Sequence, residues 1–448
     1  MRMRTLLFGC LALLITGCGS GGGSNESSGE VVNAPTGGGK LSGNLDVVAF
    51  KGGYGIDFYE AAAKEFEAKN PGLKINVTGD PRVWEQLRPR FVAGNPPDLT
   101  YPGWGMDQWG LAEEGELMDL DGALDSPAAE GNGKWRDTFE PNILKLGQLD
   151  GKQYMLPYFF NVNGWWYDPT VFAKNGWTAP KTYNELLALC EKIKAKGMAP
   201  ITFQGKYPYY MIEGMLLPWA LSVGGPDVIK ACQNLEQGAW KSPAVLQAAK
   251  MIDELRKKGY FEEGAVALTH TESQQGFLQG KAAMIPCGTW LYSEMKKTMP
   301  PNAKMEYMLV PPVEGGKGDP TSLLISIEPW MVPSKGKNPD AAVGFYKYMT
   351  SLTKAKQFVQ EKGTLMAIKG SDETQLPDVL KVPSADFKSS KYVWALQYRL
   401  WYPAFDTETQ NALTSMLTGD LTPEQFCDRC EAAAEKTRND TNVKKHKV

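Results

Sequence analysis

The most constraining feature of this sequence is a long aromatic and β-branched run near its middle. Residues Tyr154 to Tyr167 read YMLPYFFNVNGWWY and follow Asp150-Gly151, a dipeptide typical of tight turns. Pro157, Asn161 and Gly164 interrupt this run. Because proline and glycine weaken strand interiors, the sequence predicts a long strand that is broken in its middle.

The first half of the chain alternates between short apolar runs and amphipathic segments. The predicted strands and helices follow one another as Leu45–Phe50, Phe58–Lys69, Leu73–Val77, Trp84–Val92 and Asp98–Tyr101. This βαβαβ order predicts an α/β fold with a mostly parallel sheet covered by helices on both faces. Ligands of such sheets bind beyond the carboxyl ends of the strands, where the turns Gly52–Gly55 and Pro102–Asp107 both fall.

The glycines of the first turn also invite comparison with nucleotide-binding loops. The pattern G-x-G-x-x-G requires a third glycine where this chain has Phe58, and the sequence contains no G-x-x-x-x-G-K-[ST] motif. We therefore interpret these glycines as permitting a tight turn and close approach of a ligand.

Length and charge limit the classes of protein to be considered. The chain has 448 residues, of which 42% are hydrophobic, so it can bury a sizeable core. A chain of this length is longer than one core usually supports, so we expect two domains. The formal net charge is −3, with no basic footprint of the kind that binds nucleic acid.

The N-terminal residues have the pattern of an export signal. Arg2 and Arg4 precede an apolar run of about ten residues, too short to span a bilayer. Ile15-Thr16-Gly17-Cys18 resembles a lipobox, so residues 1–17 are predicted to be a lipoprotein signal peptide and Cys18 a lipid anchor carrying diacylglycerol and palmitate. The alternative is an ordinary signal with a chance cysteine. Residues 18–43 are rich in glycine and serine, which predicts a flexible tether.

Cysteine and histidine usage argues against metal and redox chemistry. The five cysteines after Cys18 are Cys190, Cys232, Cys287, Cys427 and Cys430. The last two lie three residues apart in a predicted helix, Pro423–Thr437, with no strand before them as a thioredoxin-type motif would need. We interpret them as a structural disulfide or as two unpaired thiols. With only two histidines in the chain, the sequence predicts no metal site and no cofactor.

Several segments resemble the extracellular solute-binding proteins of carbohydrate ABC transporters. The aromatic run, the Asn175-Gly176 turn and the helix start PKTYNELL resemble the strand that crosses between lobes in that family. The segments FEAKNPGLKINV, GFLQGKAAMIPCGTW and PWMVPSKGKNPDAAVGFYKYMTS extend the likeness over Asn44 to Leu417. QLRPRFVAGNPPDL is most similar to the branch that binds N-acetylglucosamine and its β-linked disaccharide.

The resemblance implies a two-lobe periplasmic-binding-protein fold of type II with the ligand cleft between the lobes. Each lobe would be a mostly parallel sheet flanked by helices. Lobe 1 would comprise residues 44–160 plus 320–365, and lobe 2 residues 161–315 plus 368–440. Crossovers are expected near Phe159–Asn163, Pro312–Thr321 and Gly363–Ile368.

The same resemblance implies a function. The protein would be exported, held on the outer face of the cell membrane by lipid, and monomeric. It would bind an extracellular sugar or short oligosaccharide, such as N-acetylglucosamine or chitobiose, by hinge closure. It would then deliver that sugar to the membrane permease subunits of an ABC importer.

Sugars present apolar ring faces and a fringe of hydroxyls, so their sites need aromatic platforms and a few polar groups. Trp104 lies in a loop without apolar periodicity, and Trp290 occupies the family's G-x-W position at a predicted strand end. For the other aromatic residues a place in the core is the alternative. The candidate ligand-binding residues are Tyr54, Trp104, Asp107, Tyr158, Asn161, Tyr210, Trp290, Glu328 and Trp330.

Two other classes of function compete with the binding protein. An extracellular, lipid-anchored glycoside hydrolase would need two carboxylates facing each other across the cleft, and 51 acidic residues leave that possible. No motif supports a Ser-His-Asp arrangement, so we predict no catalytic residues. A surface adhesin would not require the repeated lobe segments.

Overall fold

The structure is a computed structural model that describes residues 31–448. Ten strands of the described chain form one twisted sheet, and β4 and β5 form a separate hairpin. The strands are β1 (Gly43–Phe50), β2 (Leu73–Asp80), β3 (Leu99–Tyr101), β4 (Gln148–Leu149), β5 (Lys152–Gln153), β6 (Met155–Tyr167), β7 (Ala199–Ile201), β8 (Ala282–Gly288), β9 (Glu306–Met308), β10 (Leu323–Met331), β11 (Leu365–Met366) and β12 (Val393–Trp394).

Helices cover both faces of this sheet. They are α1 (Asp57–Lys69), α2 (Val83–Val92), α3 (Gln108–Glu113), α4 (Asp121–Leu124), α5 (Pro141–Leu144), α6 (Pro169–Asn175), α7 (Tyr183–Lys194), α8 (Tyr209–Met211), α9 (Leu217–Gly224), α10 (Pro226–Gln233), α11 (Pro243–Lys257), α12 (His270–Leu278), α13 (Trp290–Met295), α14 (Pro339–Met349), α15 (Leu352–Lys362), α16 (Asp378–Ser389), α17 (Tyr398–Trp401), α18 (Pro403–Thr418) and α19 (Pro423–Asn439). A π-helical turn, Ile212–Leu216, joins α8 to α9.

The main sheet has the strand order β2-β1-β3-β10-β6-β8-β7. Strands β1, β2 and β3 are parallel, as the βαβαβ pattern predicted. Strand β10 runs antiparallel to both β3 and β6, and β6 is antiparallel to β8. The predicted α/β architecture is confirmed, and the antiparallel strands lie where the chain passes between the two lobes.

Strand β6 is a single uninterrupted strand, so the predicted break in its middle is wrong. Its first part, up to Val162, pairs with β10, while its last part, Asn163–Tyr167, pairs with β8 and β9. All thirteen residues are buried. The strand therefore changes partners rather than conformation, and the change falls between Val162 and Asn163.

Two prolines facing each other account for the one irregularity in the β6–β10 ladder. Pro157 lies opposite Pro329, and the register shifts between Glu328 and Pro329. Because proline has no N–H to donate, this position cannot complete the ladder, and a bulge forms there. The bulge lies next to Glu328.

Near the other two expected crossovers, the chain keeps lobe-2 contacts as far as Gly318 and lobe-1 contacts as far as Lys369. Gly318 still donates its N–H to the carbonyl of Ser222 in lobe 2, and the chain enters the lobe-1 ladder only where Ile325 pairs with Val162. Strand β11 pairs with the lobe-1 part of β6, and Lys369 still bonds lobe 1. The chain contacts lobe 2 again at α16, which packs on β9, and then forms β12 beside the first residues of β10.

Each lobe has a core rich in large aromatic side chains. In lobe 1 a cluster of rings packs between the sheet, α1, α14 and α15: Tyr59, Tyr158, Trp330, Tyr346 and Phe358. In lobe 2 the corresponding cluster lies among α9, α11, α17 and α18: Trp219, Trp240, Tyr398 and Phe405. Each core is large enough to hold its lobe rigid while the crossovers bend.

The N-terminal segment only partly behaves as expected of a tether. The predicted signal peptide and Cys18 lie outside the described residues. Residues 31–43 pack on lobe 1 instead of extending from it: Ala34 donates to Asp119 at 2.8 Å, and Leu41 is buried in the lobe-1 core. The side chains of Ala34 and Leu41 are both buried in the lobe-1 core, and these apolar contacts hold the segment on lobe 1. Within residues 31–448, no helix is both long and apolar enough to cross a membrane.

The cysteines of the described chain are unpaired and buried. Cys427 and Cys430 lie inside α19, so of the two interpretations left open, the disulfide is wrong and the unpaired thiols are confirmed. Burial raises the pKa of both thiols, which keeps them protonated and unreactive.

We predict that Asp98 is a major source of stability in lobe 1. Its buried carboxylate accepts hydrogen bonds from the backbone N–H groups of Asp46 (2.8 Å), Lys337 (2.5 Å) and Asn338 (2.8 Å), which joins β1 to the start of α14. Asp98→Ala leaves these donors without an acceptor. We expect a loss of about 3 kcal/mol in the free energy of unfolding, measured by urea denaturation.

The matched control is Asp107→Ala. Asp107 is an exposed N-cap of α3, whose loss costs about 1 kcal/mol. Equal destabilisation by the two substitutions would contradict the role assigned to Asp98.

Candidate functional site

A cavity of about 430 Å³ lies between the lobes, directly above the crossover strand β10. Residues 326–329 form its floor, the loop after β3 and the start of α3 form one wall, and lobe 2 forms the other. Its volume falls in the range of about 300–1,000 Å³ that is usual for small-molecule sites. Its lining includes the aromatic, charged and amide side chains of Trp104, Trp109, Tyr207, Tyr209, Glu213, Glu328, Arg399, Asp406 and Gln410.

Trp104 dominates the lobe-1 wall. It lies in the 3₁₀ turn Gly103–Gly105 after β3, and its side chain is 59% exposed. One side of the ring packs on Trp84, with centroids 4.7 Å apart. A Cβ at Gly105 would lie 2.2 Å from the Trp84 ring, so glycine is needed there to let the two indoles approach.

Behind the lobe-2 wall lies a row of aromatic rings packed at tilted angles. Tyr209 packs against Tyr210 at 4.3 Å, and Tyr210 packs against Trp290 at 5.9 Å. Behind them the Tyr210 hydroxyl lies 2.7 Å from Nδ1 of His270, whose Nε2 is 2.8 Å from Glu294. Tyr209 faces the cavity, and the rings behind it hold it in place.

A buried ion cluster lies beside Tyr209. Arg399 donates from Nη1 to Glu213 at 2.6 Å, and its guanidinium carbon lies 4.0 Å from the Tyr209 ring centroid. Its Nε and the nearest Asp406 oxygen are 3.3 Å apart, yet neither has a hydrogen-bond partner among the described residues. Gln410 donates to the other Asp406 oxygen at 2.7 Å.

Burial controls the charges in this cluster. It raises the pKa of Glu213 and of Asp406 above their ordinary values, although Arg399 acts in the opposite sense on both. Burial alone would lower the pKa of Arg399, but the two carboxylates raise it, so the guanidinium stays charged. The cluster therefore offers fixed donors and acceptors to a polar ligand.

Glu328 lies on the cavity floor at the β10 bulge. One carboxylate oxygen accepts a hydrogen bond from the Tyr101 hydroxyl at 2.8 Å. Burial raises the pKa of Glu328 to about 7, while the Tyr101 hydrogen bond acts in the opposite sense. At neutral pH this side chain can both donate and accept hydrogen bonds.

Comparison with known proteins identifies the family. Residues 52–356 match the pattern of the bacterial extracellular solute-binding proteins. The chain belongs to this family. The resemblance inferred from the sequence motifs and the predicted two-lobe fold are both confirmed.

Individual relatives of this solute-binding protein are sugar binders by name. The diacetylchitobiose binding protein NgcE of Streptomyces coelicolor is 30% identical and covers 99% of this chain and 98% of its own. The multiple sugar-binding protein of Streptococcus mutans is 24% identical, covering 78% and 81% of the two chains. A solved chitin oligosaccharide binding protein superposes with a TM-score of 0.73 at 23% identity, covering 88% of this chain and 98% of that one, which shows a shared fold.

The structure of the solute-binding protein brings some of the predicted site residues together. Trp104 and Glu328 line the cavity. Tyr54 donates to Asn161 at 2.8 Å beneath the meeting point of the lobes, and neither residue lines the cavity. Tyr210 and Trp290 (the latter at the start of α13 after β8, as expected) lie one layer behind Tyr209; the indole Nε1 of Trp290 is buried without a partner.

Three predicted site residues have structural roles instead. Tyr158 and Trp330 are fully buried in the lobe-1 core, where their rings pack on Tyr59. The sequence does not reveal which residues of these two strands point to the cleft. Asp107 does not line the cavity, and its carboxylate accepts from Gly110 N as a helix cap.

The sequence analysis missed most of the lobe-2 wall. Tyr207, Tyr209, Glu213, Arg399 and Asp406 line the cavity, although none was among the candidates. One signal was available: Arg399 is a lone charge in the aromatic run YRLWY, and a charge in such a run must find buried partners. The partner Glu213 lies 186 residues away, which the sequence could not reveal.

We predict that Glu328 makes stability depend on pH. The folded-state pKa is raised, so the folded protein holds a proton that the unfolded chain loses between about pH 4.5 and 7. The proton on Glu328 therefore contributes at most roughly 3 kcal/mol to the free energy of unfolding. This contribution is fully present below that pH window and is lost as the pH rises through it. Glu328→Gln should match the wild type at pH 4.5 and be more stable at pH 8, measured by urea denaturation.

The Tyr101→Phe variant is the matched control, since it removes the hydrogen bond but keeps the carboxyl. It should retain the pH dependence that Glu328→Gln loses. A stability difference between Glu328→Gln and wild type that is constant with pH would contradict the raised pKa.

Proposed function

We propose that this solute-binding protein captures a short, neutral, β-linked amino-sugar oligosaccharide and delivers it to the permease of an ABC importer. One observation carries the proposal: aromatic faces from both lobes border one cavity that also holds fixed polar groups. Aromatic rings bind the apolar faces of pyranoses, and polar side chains select their hydroxyl and acetamido groups. The names of the relatives favour diacetylchitobiose or a similar sugar.

Hinge closure is the physical mechanism of capture. The crossovers of β6 and β10 lie beneath the cavity, so rotation about them changes its width and leaves both aromatic cores unchanged. A ligand that contacts Trp104 on one lobe and Tyr209 on the other binds the closed state more tightly than the open one. It therefore shifts the population toward closure, which the permease recognises.

The charges of the cavity select against acidic sugars. Glu213, Glu328 and Asp406 contribute three carboxyl groups, and Arg399 is the one cation in the lining. Its guanidinium already faces two of those carboxyls. A uronate would add another negative charge without a free cation, so neutral sugars are favoured.

The prediction is that β-1,4-linked N-acetylglucosamine dimer binds and is returned intact. At a concentration of 100 times Kd it should stabilise the protein by about 2.7 kcal/mol, seen as a higher melting temperature. Cellobiose, which lacks the acetamido groups, tests their contribution. A galacturonate dimer should give no shift.

A glycoside hydrolase is the second candidate, because the cavity contains several carboxyl groups. Both Glu213 and Asp406 are engaged by Arg399, which leaves neither free to act as a nucleophile or acid. Monosaccharide released in proportion to protein, and abolished by Glu328→Gln, would overturn the binding function in favour of catalysis.

We also propose that the protein is exported and anchored through Cys18 as a monomer. The family is extracellular, and Ile15–Cys18 matches a lipobox. Residues 31–43 run along lobe 1, which places the described end of the chain on that lobe.

The anchor can be tested by one substitution. A diacylglyceryl group supplies two acyl chains. Two chains anchor a protein stably in a membrane, whereas a single chain binds the membrane only marginally. Cys18→Ser should therefore move most of the protein from the membrane fraction to the soluble fraction. Cys10→Ser, which changes a cysteine inside the apolar signal run, is the control and should stay with the membrane; release of both variants, or of neither, would contradict the assignment.

A further inference from the structure

Exposed aromatic side chains are concentrated at the cavity. Eight large hydrophobic residues in the described chain are more than about a third exposed, and only two of these are aromatic: Trp104 at 59% and Tyr207 at 37%. Both line the same cavity, Trp104 from lobe 1 and Tyr207 from lobe 2. The others are aliphatic: Val31, Val32, Val92, Leu352, Val382 and Val448.

The loops that carry these two rings are held firmly. On lobe 1, Arg88 donates to the carbonyl of Gly105 at 2.6 Å, and Trp84 backs the Trp104 ring. On lobe 2, Tyr207 donates its N–H to Gln204 at 2.9 Å, and Tyr209 packs beside its ring at 6.2 Å. Each ring is thus supported on one side, and its exposure comes from a fixed loop rather than from a loose one.

The two rings differ from the polar part of the cavity. Glu328 lies on the floor, and Arg399 with its carboxylates lies on the lobe-2 wall beside Tyr209. These groups are buried or partly buried, and they suit the hydroxyl and acetamido groups of one sugar ring. Trp104 and Tyr207 are the exposed members of the lining, so they lie toward its solvent side.

We propose that Trp104 and Tyr207 form an outer subsite that clamps the second ring of a β-linked oligosaccharide when the lobes close. This inference rests on the proposed function and specifies its ligand further. A β-linked pyranose with equatorial substituents exposes C–H groups on both faces, so one ring can contact an aromatic platform on each side. Because the platforms belong to different lobes, the second ring also contributes to closure.

Length selectivity follows from this arrangement. In the proposed arrangement we expect a monosaccharide held by Glu328 and Arg399 to leave the outer rings uncovered, and a disaccharide to contact both sets. Closure of the lobes on the second ring would bury both aromatic side chains, and buried aromatic anchors commonly act as hot spots, for which truncation weakens binding about thirtyfold or more. The protein should therefore prefer a dimer or trimer over the monosaccharide.

The test is calorimetric titration of the full mature protein with N-acetylglucosamine and its β-1,4-linked dimer and trimer. Trp104→Ala and Tyr207→Ala should each weaken binding of the dimer and trimer about thirtyfold. Affinity for the monosaccharide should change by no more than about threefold. Tyr207→Phe keeps the ring and should bind the dimer as the wild type does.

Stability measurements separate this role from a structural one. Both rings are exposed, so the melting temperatures of the ligand-free alanine variants should stay within a few degrees of the wild type. Val92→Ala is the matched surface control, because Val92 is 90% exposed and lies outside this cavity. It should bind every sugar like the wild type.

The possible failures are distinguishable. Equal weakening of monosaccharide and dimer binding, or unchanged dimer binding in both alanine variants, overturns the outer subsite and leaves the proposed function intact. If no amino sugar binds the wild type, the same length series of β-linked xylose or glucose oligosaccharides replaces it. Absence of binding to every oligosaccharide overturns the proposed function and the outer subsite together.

Discussion

The pairing of strand β6 with both halves of the molecule is the constraint on which the rest of the structure depends. All thirteen of its residues are buried, so each backbone N–H and C=O needs a partner away from water. Lobe 1 supplies β10 and β11 along the first part, and lobe 2 supplies β8 and β9 along the last. Each lobe is thereby attached to the same continuous strand, and the ligand cavity can only lie where the lobes separate above it. A hinge built this way can bend at the change of partners without breaking either ladder.

Several polar groups at the cavity are buried without a well-formed hydrogen bond. Arg399 Nε and an Asp406 oxygen form an ion pair at 3.3 Å without hydrogen-bond geometry, and the indole nitrogens of Trp109 and Trp401 nearby have no hydrogen-bond partner among the described residues. Native proteins leave few such groups unsatisfied, and unsatisfied groups concentrate at functional sites. Sugar hydroxyls both donate and accept, so a bound sugar can complete these groups. Because these protein groups are already removed from water, their hydrogen bonds to a polar ligand add to the favourable free energy that the apolar contacts supply.

Particular residues show which structural features the sequence patterns predict and which they do not. Thr182 and Thr422 cap α7 and α19 close to where the sequence placed these helices, because capping depends on neighbouring residues. The predicted break of β6 was wrong because Gly164, which the sequence suggests as a strand breaker, is instead required by packing. A Cβ at this position would lie 2.3 Å from the Tyr307 ring. Trp104 was identified because its loop has no apolar periodicity. Tyr158 has the same aromatic character but points into the core.

The sequence by itself determined the alternation of strands and helices, the crossing strand, the family and the polar, aromatic character of the site. These follow from local periodicity, turn residues and caps, whose interactions span only a few positions. Only the tertiary structure decided which aromatic rings face the cavity and which charges meet in it. Tyr101 and Glu328 are 227 residues apart, and the burial that moves the Glu328 pKa exists only once both lobes are assembled around β10. Burial and electrostatics depend on distance in space, and distance along this chain does not predict it.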